Sequence, residues 1–334
     1  MAGYQDIVGH KRIKEQLKSA IELDKVSHAY IFHGPKDSGK MMLAEAFAMA
    51  LQCEQKNPCG CGECRSCKQA MHRNQPDIIY VQHEKPNVIS VQEIREQLVG
   101  DMEIKPYSSR YKIYIIDEAE KMNPQAQNAI LKTIEEPPHY GIILLLTSNV
   151  DMLLQTIRSR CVRIDLKTVA DDLIRKYLME KHQIPDYQAN VATAFAQGNV
   201  GKAVHLSTSQ EFAEEKNQVL SIVRKVSDLR IADVGDRIKE MEVYKDDMGE
   251  YLNLMQIWYR DVLYWKSTGQ IDGLIFRDEL QEIRKQAERL AYRGLQIAFD
   301  CIEKARLRLQ ANGNFELIME LLLLEIKEIY QWQE

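Results

Sequence analysis

A glycine-rich stretch at residues 34–42, GPKDSGKMM, comes close to the pattern of a phosphate-binding loop. Gly34, Gly39 and Lys40 stand where the pattern G-x-x-x-x-G-K-[ST] requires two glycines and a lysine. In such a loop the backbone N–H groups contact the phosphates, the lysine reaches the outer phosphates, and the hydroxyl after the lysine helps to hold Mg²⁺. Position 41 is methionine, and a thioether cannot replace that oxygen. The stretch therefore predicts a nucleotide site that lacks one Mg²⁺ ligand.

Polar groups also close two hydrophobic runs further along the chain. YKIYIIDE ends in Asp117 and Glu118, and in nucleoside triphosphatases with a phosphate loop such acids support Mg²⁺ and orient the attacking water. Acids after a strand are common, so this pair indicates a nucleotide site only in combination with the glycine-rich loop that precedes it. LTSN at residues 146–149 places Thr147 or Ser148 to face a third phosphate, or merely to begin a turn.

The segment RSRC carries two arginines, Arg158 and Arg160, just before another apolar run. Such arginines are often only solvated. An arginine that reaches across a subunit boundary to a bound nucleotide is worth roughly 10³ to 10⁵ in rate where it has been measured. The sequence leaves both interpretations open.

Five of the seven cysteines cluster in the segment 53–67, CEQKNPCGCGECRSC. Cys61, Cys64 and Cys67 form C-x-x-C-x-x-C, and either Cys53 or Cys59 can supply a fourth thiolate. We favour Cys53, because Cys59 is separated from Cys61 by a single residue. Four thiolates make a closed tetrahedral Zn²⁺ site of structural type, and the alternatives are an iron–sulfur cluster or unligated thiols.

The length of 334 residues predicts two or three domains. The 44 Lys and Arg residues against 49 Asp and Glu give a formal net charge of −5, which disfavours autonomous tight binding to nucleic acid. The N-terminus lacks the apolar core of a secretion signal, and the longest apolar run, LIMELLLLEI, is interrupted by Glu320 and Glu325. We expect a soluble, cytoplasmic protein without a membrane segment.

The elements that must position these residues alternate between apolar runs and helical stretches over the first 166 residues. This pattern predicts an α/β fold with a parallel sheet flanked by helices. A helix is expected from Lys40 to Leu51, directly after the loop. Ser90 and Glu93 form a capping box in sequence. Asn123 is the expected N-cap of a helix with Pro124 at its first position.

Helices are expected from residue 167 to the end. YLNLMQIWYRDVLYW and ELIMELLLLEIKEIY have broad apolar faces that need partners, either each other or other subunits. The first segment contains four aromatic residues whose spacing fits a packing face, and we favour packing over the stacking of nucleic-acid bases. They are Trp258, Tyr259, Tyr264 and Trp265.

The order of these blocks resembles the delta-prime family of bacterial DNA polymerase III clamp-loader subunits. The resemblance rests on HAYIFHGPKDSGK, the cysteine cluster, YIIDEAEKMNPQAQNAILKTIEEPP, LTSN, TIRSRC and GNVGKA, and it spans roughly residues 1–207. WYRD at residues 258–261 is similar to the C-terminal domain of the family, and QANGNFELIMELLLLEI is similar to its collar helix.

The resemblance implies an AAA+ architecture of three domains. The nucleotide-binding domain would be residues 1–166 with a zinc module at 53–67, the helical lid residues 167–207, and the all-α collar residues 208–334. The implied partners are gamma or tau and delta subunits in a hetero-pentamer. That ring opens the sliding clamp and closes it on primed DNA.

The resemblance also implies roles for single residues. Arg160 would reach the ATP held by a neighbouring motor subunit, and Lys202 stands where a motor subunit places an arginine of its lid. Delta-prime subunits often carry a degenerate phosphate loop and act as rigid stators. Because Met41 removes a Mg²⁺ ligand, we expect weak nucleotide binding without useful turnover. The alternative is an active ATPase motor of the gamma or tau type.

Overall fold

The structure, a computed structural model, describes residues 3–245, 248–311 and 313–330. Residues 1–2, 246–247, 312 and 331–334 of the predicted domain ranges lie outside this description. Backbone contacts divide the chain into two compact units, residues 1–174 with 197–202 and residues 175–196 with 203–334. The boundaries of the nucleotide-binding, lid and collar domains stay a prediction.

Five strands form the sheet of the first unit. They are β1 Ala29–His33, β2 Ile78–Tyr80, β3 Lys112–Ile116, β4 Gly141–Thr147 and β5 Val162–Asp165. All pairings are parallel, in the order β2-β3-β4-β1-β5. The predicted α/β class with a parallel sheet is therefore confirmed. In the register of β1 and β4, Phe32 lies beside Leu146 and His33 beside Thr147, so the carboxyl ends of these two strands are level.

Three of the helices of this unit, which begin at Lys40, Val91 and Pro124, follow the expected signals. The helices of the unit are α1 Lys11–Glu22, α2 Lys40–Leu51, α3 Arg65–Met71, α4 Val91–Ile94, α5 Pro124–Glu135 and α6 Gln155–Arg158. A π-helical stretch, Arg95–Gly100, continues α4. Glu93 N donates to Ser90 Oγ at 3.3 Å and Ser90 N donates to the Glu93 carboxylate at 2.6 Å. This capping box confirms the predicted start of α4, and Asn123 caps α5 by accepting a hydrogen bond from Ala126 N at 2.8 Å.

Both faces of the sheet are buried, because successive side chains of a strand point to opposite sides. Tyr30 and Phe32 belong to the core on the side of α2, whereas Ala29 and Ile31 belong to the core on the side of α5. Burying one large apolar side chain contributes about 1.5–3 kcal/mol. The two cores fix the helices that begin at the carboxyl edge of the sheet.

Helices alone make up the second unit, and no strand follows Asp165 in the described residues. They are α8 Asp186–Ala196, α10 Gln210–Lys225, α11 Ile231–Glu242, α12 Met248–Thr268, α13 Leu280–Arg289, α14 Tyr292–Gln310 and α15 Phe315–Glu328, while α7 Asp171–Lys181 and α9 Val200–Thr208 each cross the division between the units. Within the described ranges, no helix has the combination of length and apolarity that a bilayer span requires.

The aromatic side chains of α12 pack in the interior of the helical unit. Trp258 and Tyr259 are fully buried, and Trp258 Nε1 donates to Gln286 Oε1 of α13 at 2.9 Å. Tyr264 and Trp265 are partly buried. The interpretation of this group as a packing face is confirmed.

Asp261, the acid of WYRD, is fully buried and fixes the chain between α12 and α13. Its Oδ2 accepts hydrogen bonds from Ile275 N at 2.8 Å and Phe276 N at 2.7 Å, and its Oδ1 pairs with Arg260 at 2.7 Å. A carboxylate that receives two N–H groups and one guanidinium satisfies all of them at once. Asp261 therefore determines the path of the α12–α13 connection.

We predict that Asp261→Asn destabilises this connection by about 1–3 kcal/mol, because a carboxamide offers only one neutral oxygen to the two buried N–H groups and leaves Arg260 without its carboxylate partner. Hydrogen exchange measures the effect directly, as faster exchange of the Ile275 and Phe276 amides. Asp278→Asn, at an exposed position of the same connection, is the control and should leave their exchange unchanged. Equal exchange in Asp261→Asn and the unsubstituted protein would contradict the anchoring role.

Candidate functional site

The glycine-rich loop adopts the predicted position between β1 and α2. Gly39 has φ of 90°, and α2 begins at the next residue, Lys40. A positive φ of this kind is accessible to glycine at little cost. The loop thus carries its glycine where the chain must turn sharply into the helix, as phosphate-binding loops require.

A cavity of about 390 Å³ opens beside the loop. Its lining includes most of the predicted nucleotide-site residues and some that the sequence did not indicate: Lys36, Asp37, Gly39, Lys40, Met41, Met42, Asp117, Glu118, Glu120, Ser148 and Gly201. The carboxyl ends of β1, β3 and β4 bring these groups to one edge of the sheet. The structure therefore gathers the loop and the acids around one space.

The lysine of the loop is turned onto the loop itself. Lys40 Nζ donates to Gly34 O at 2.8 Å and to Pro35 O at 2.7 Å. Burial lowers the pKa of Lys40, and nearby carboxylates, first Asp117, oppose that shift. The ammonium lies in the region that phosphates would enter.

The two acids after β3 differ in their environment. Asp117 lines the cavity, and burial raises the pKa of its carboxyl group. Glu118 has φ of 48°, in the left-handed region, and its carboxylate pairs with Lys121 at 2.5 Å. A carboxylate engaged in this way is less available to orient a water molecule.

Of the two hydroxyl residues after β4, Ser148 lines the cavity, whereas Thr147 is fully buried. Ser148 donates both its backbone N–H, at 3.0 Å, and its hydroxyl to Glu120 Oε1. Burial raises the pKa of Glu120, but these hydrogen bonds outweigh it and the pKa is lowered overall. Glu120 is thus an ionised acid in the cavity that sequence reasoning missed. Its only sequence signal was its place two residues after Glu118.

The GNVGK segment lies directly on the loop. Gly201 N donates to Asp37 O at 3.1 Å, and Asn199 Nδ2 donates to Lys36 O at 2.7 Å. A Cβ at Gly201 would come within 2.4 Å of Asp37 O, so only glycine permits this approach. Lys202 follows at once, and its N–H donates to Asn199 Oδ1 at 3.0 Å.

Arg160 follows the short helix α6 and keeps 41% of its side chain exposed. Its Nη2 lies 3.0 Å from Glu135 Oε1, and its Nη1 donates to Thr156 O at 3.1 Å. Arg158 is held differently, by Asp151 at 2.7 Å. Both arginines are thus fixed by carboxylates.

The cysteine segment brings four thiols together. The sulfurs of Cys53, Cys61, Cys64 and Cys67 all lie within 4.8 Å of one another, and Cys59 is not in this group of described residues. The Sγ atoms of Cys61 and Cys67 are 3.8 Å apart. Zn–S bonds of about 2.3 Å in a tetrahedron place sulfurs about 3.8 Å apart, so the donor set fits Zn²⁺.

Backbone N–H groups point at these sulfurs. Cys64 N donates to Cys61 Sγ at 3.2 Å, and Cys67 N donates to Cys64 Sγ at 3.3 Å. The first of these bonds is the main reason that the pKa of Cys61 is lowered to about 7. Burial raises the pKa of Cys67, so its thiolate needs a cation nearby. A bound Zn²⁺ would supply that charge and would serve structure rather than catalysis, because four sulfurs leave no open position.

Comparison with known proteins adds the family. The model described as "DNA polymerase III, delta subunit" matches residues 9–170, and the model described as "DNA polymerase III, delta subunit, C terminal" matches residues 229–328. The delta' subunit of DNA polymerase III from Bacillus subtilis (strain 168) is 31% identical over 324 residues, which cover 95% of this chain and 96% of that subunit. The chain belongs to the delta-prime family of DNA polymerase III subunits. The resemblance seen in the sequence is thereby confirmed.

Tau and gamma-related proteins are also similar to this chain. The tau subunit of Bacillus subtilis is 26% identical over 97% of the chain, but the chain spans only 61% of the length of that subunit. A solved gamma-subunit-related protein from Thermotoga maritima is 18% identical with a TM-score of 0.44, covering 95% of this chain and 99% of that one. The protein is a subunit of DNA polymerase III, as predicted, and its parallel sheet flanked by helices is the predicted α/β architecture.

We predict one zinc ion per chain, bound through Cys53 rather than Cys59. Cys53→Ser should lose the metal, and the free energy of unfolding should fall with it, because the binding energy of a structural metal is folding energy. Elemental analysis of the purified chain, with thermal melting, measures both quantities. Cys59→Ser is the matched control and should keep metal and melting temperature. Iron in place of zinc, or metal lost from Cys59→Ser alone, would contradict the assignment.

Proposed function

We propose that the chain is a non-motor stator of the clamp loader. In this proposal it helps a ring of gamma or tau and delta subunits, a hetero-pentamer, to load the sliding clamp on primed DNA. Its own contribution to chemistry is Arg160, which acts in trans on ATP held by a neighbouring gamma or tau subunit. The phosphate site of the chain itself is vestigial.

The observation that carries this proposal is the charge of the cavity beside the loop. Four acidic residues line it, Asp37, Asp117, Glu118 and Glu120, against two lysines, Lys36 and Lys40. A triphosphate is strongly anionic and enters such a space favourably only with Mg²⁺. Met41 stands where the hydroxyl ligand of that ion would be. Mg²⁺ is therefore held less firmly and neutralises less of the phosphate charge.

The groups that would assist hydrolysis are also engaged elsewhere. Glu118 pairs with Lys121, and Ser148 gives both of its donors to Glu120. Reaching a bound nucleotide would require these contacts to break. Both contacts support a site that binds weakly and turns over poorly.

Arg160 has the exposure that action in trans requires. A guanidinium has five N–H donors, and three contacts of Arg160 within the described chain, to Glu135, Thr156 O and Ser159 Oγ, engage three of them. The remaining donors and the 41% exposed surface are available to an external phosphate. Arginine suits this task because its planar fork matches phosphate oxygens.

Exposed apolar side chains of the helical unit support assembly with other subunits. Leu317 and Leu321 are 56% and 37% exposed on one face of α15, and Leu307 near the end of α14 is 57% exposed. Exposed leucines four residues apart form a stripe on a helix. In the proposal this stripe contacts the other subunits of the ring, and the clamp and DNA are reached through the complex.

The second candidate function is an active ATPase motor of the gamma or tau type. It is favoured by the retention of Gly34, Gly39, Lys40, Asp117 and Glu118, and by the similarity to tau subunits. Weak binding of ATP and Mg²⁺, with Lys202 near the phosphates and Ser148 rather than the buried Thr147 facing them, is compatible with either function. Turnover by the isolated chain separates them.

We predict that ATP with Mg²⁺ binds the purified chain with a dissociation constant above about 0.1 mM and is not hydrolysed. This value lies toward the weak end of the range from about 1 µM to 1 mM that is typical of enzyme KM values. Calorimetric titration and a steady-state hydrolysis assay on one sample measure this. Met41→Thr should strengthen Mg²⁺-dependent binding severalfold, and Lys40→Ala in that background should abolish it. Hydrolysis by the unsubstituted chain that disappears in Lys40→Ala would establish the motor function instead.

We predict that Arg160→Ala lowers DNA-dependent ATP hydrolysis by the reconstituted loader at least tenfold and leaves assembly intact. The reason is that the guanidinium stabilises the negative charge that develops on the phosphate in the transition state. Such an arginine raises kcat by roughly 10³ to 10⁵ in measured cases. Gel filtration of the complex checks assembly. Arg158→Ala is the matched control, because Arg158 pairs with Asp151. Unchanged hydrolysis with Arg160→Ala would refute the action in trans.

A further inference from the structure

The carboxylate that holds Arg160 comes from a separate helix. Glu135 is the last residue of α5, and its Oε1 lies 3.0 Å from Arg160 Nη2, with side-chain exposures of 45% and 41%. Nη1 donates hydrogen bonds to two residues close in sequence, to Thr156 O at 3.1 Å and to Ser159 Oγ at 3.3 Å. The guanidinium therefore contacts two different segments of the chain, the end of α5 and the region of α6.

Helix stability does not explain a glutamate at this position. The C-terminal end of a helix carries partial negative charge, so a carboxylate there is unfavourable unless a cation lies close by. The guanidinium of Arg160 is that cation. Glu136, the next residue, carries an exposed carboxylate of the same type.

Glu135 is also not shared between the two arginines of this region. Arg158 has its own acid, Asp151, at 2.7 Å. Among the described residues, Glu135 is the one carboxylate in an ion pair with Arg160. The contact is therefore specific to the residue proposed to act in trans.

The geometry leaves the outer donors of Arg160 available. One Nη2 hydrogen faces Glu135 and the Nη1 hydrogens face Thr156 and Ser159. Among the contacts of the described residues none involves Nε, so Nε and the second N–H of Nη2 are the donors left for an external oxygen pair.

We propose that Glu135 is a positioning residue for Arg160, which it holds in an orientation that presents Nε and Nη2 to a phosphoryl oxygen of a neighbouring subunit's nucleotide. This proposal rests on the proposed action of Arg160 in trans. Arginine is long and flexible, and a side chain already ordered loses less rotamer freedom when the phosphate is bound. Glu135 does not touch the nucleotide, so it acts only through Arg160.

The test measures DNA-dependent ATP hydrolysis by the complete reconstituted loader, carrying full-length variants of this chain. Glu135→Ala should lower kcat about two- to fivefold with little change in KM, which corresponds to about 0.4–1 kcal/mol at 1.36 kcal/mol per tenfold and matches exposed ion pairs. Glu135→Gln, which keeps an acceptor oxygen, should lose less. Glu136→Ala is the matched control, because it also removes one exposed carboxylate, and it should leave kcat unchanged. Gel filtration verifies that each complex assembles.

A double variant separates positioning from a general structural effect. In an Arg160→Ala background, Glu135→Ala should cause no further loss, because its partner is gone. If the loss persists in that background, or if Glu135→Ala raises kcat or leaves it unchanged while Arg160→Ala lowers it, the positioning role is wrong and the action of Arg160 stands. If Arg160→Ala itself changes nothing, the proposed function is wrong, and the positioning role is wrong with it.

Discussion

Parallel pairing of β1 with β4 and of β4 with β3 is the constraint on which the site depends. Because all strands run the same way, the loop after β1, the acids after β3 and the hydroxyl residues after β4 meet at one edge of the sheet. The level register of His33 and Thr147 adds a backbone bond from Gly34 N to Thr147 O at 3.1 Å. The phosphate loop therefore begins at a height fixed by the neighbouring strand rather than by any ligand.

Shape and chemistry of this site depend on different residues. The shape needs Gly39 at positive φ, the start of α2 and the close approach of Gly201, and all three are present. The chemistry needs a hydroxyl on Mg²⁺ and acids free to act, whereas Met41 supplies a thioether and Glu118 pairs with Lys121. A sheet edge built by packing can thus keep the outline of a nucleotide site after its electrostatics have changed.

Local patterns predicted most of the fold and part of the site. The apolar runs of the first 166 residues predicted a parallel sheet, and Asn123 with Pro124 predicted the start of α5, because caps and strand periodicity are properties of adjacent residues. Contacts between distant segments escaped prediction. Glu120 accepts from Ser148 across 28 positions. The pairing of Glu135 with Arg160 depends on how α5 and α6 lie against each other, which neither segment encodes alone. For the same reason the sequence could not decide whether Thr147 or Ser148 faces the cavity, and only the position of the end of β4 answers this.

Helix α2 connects the cysteine cluster to the glycine-rich loop. It begins at Lys40, the last residue of the loop, and ends at Leu51, two residues before Cys53. Midway along α2, buried Glu45 accepts from Arg73 Nε at 2.8 Å, just beyond α3, the helix of the cysteine segment. A nucleotide stabilises a loop only in proportion to its occupancy, so a weakly binding site lacks that support. The cysteine segment and the Glu45–Arg73 pair hold the same helix independently of any nucleotide. A loop of phosphate-binding shape can then persist in a subunit proposed to have given up turnover.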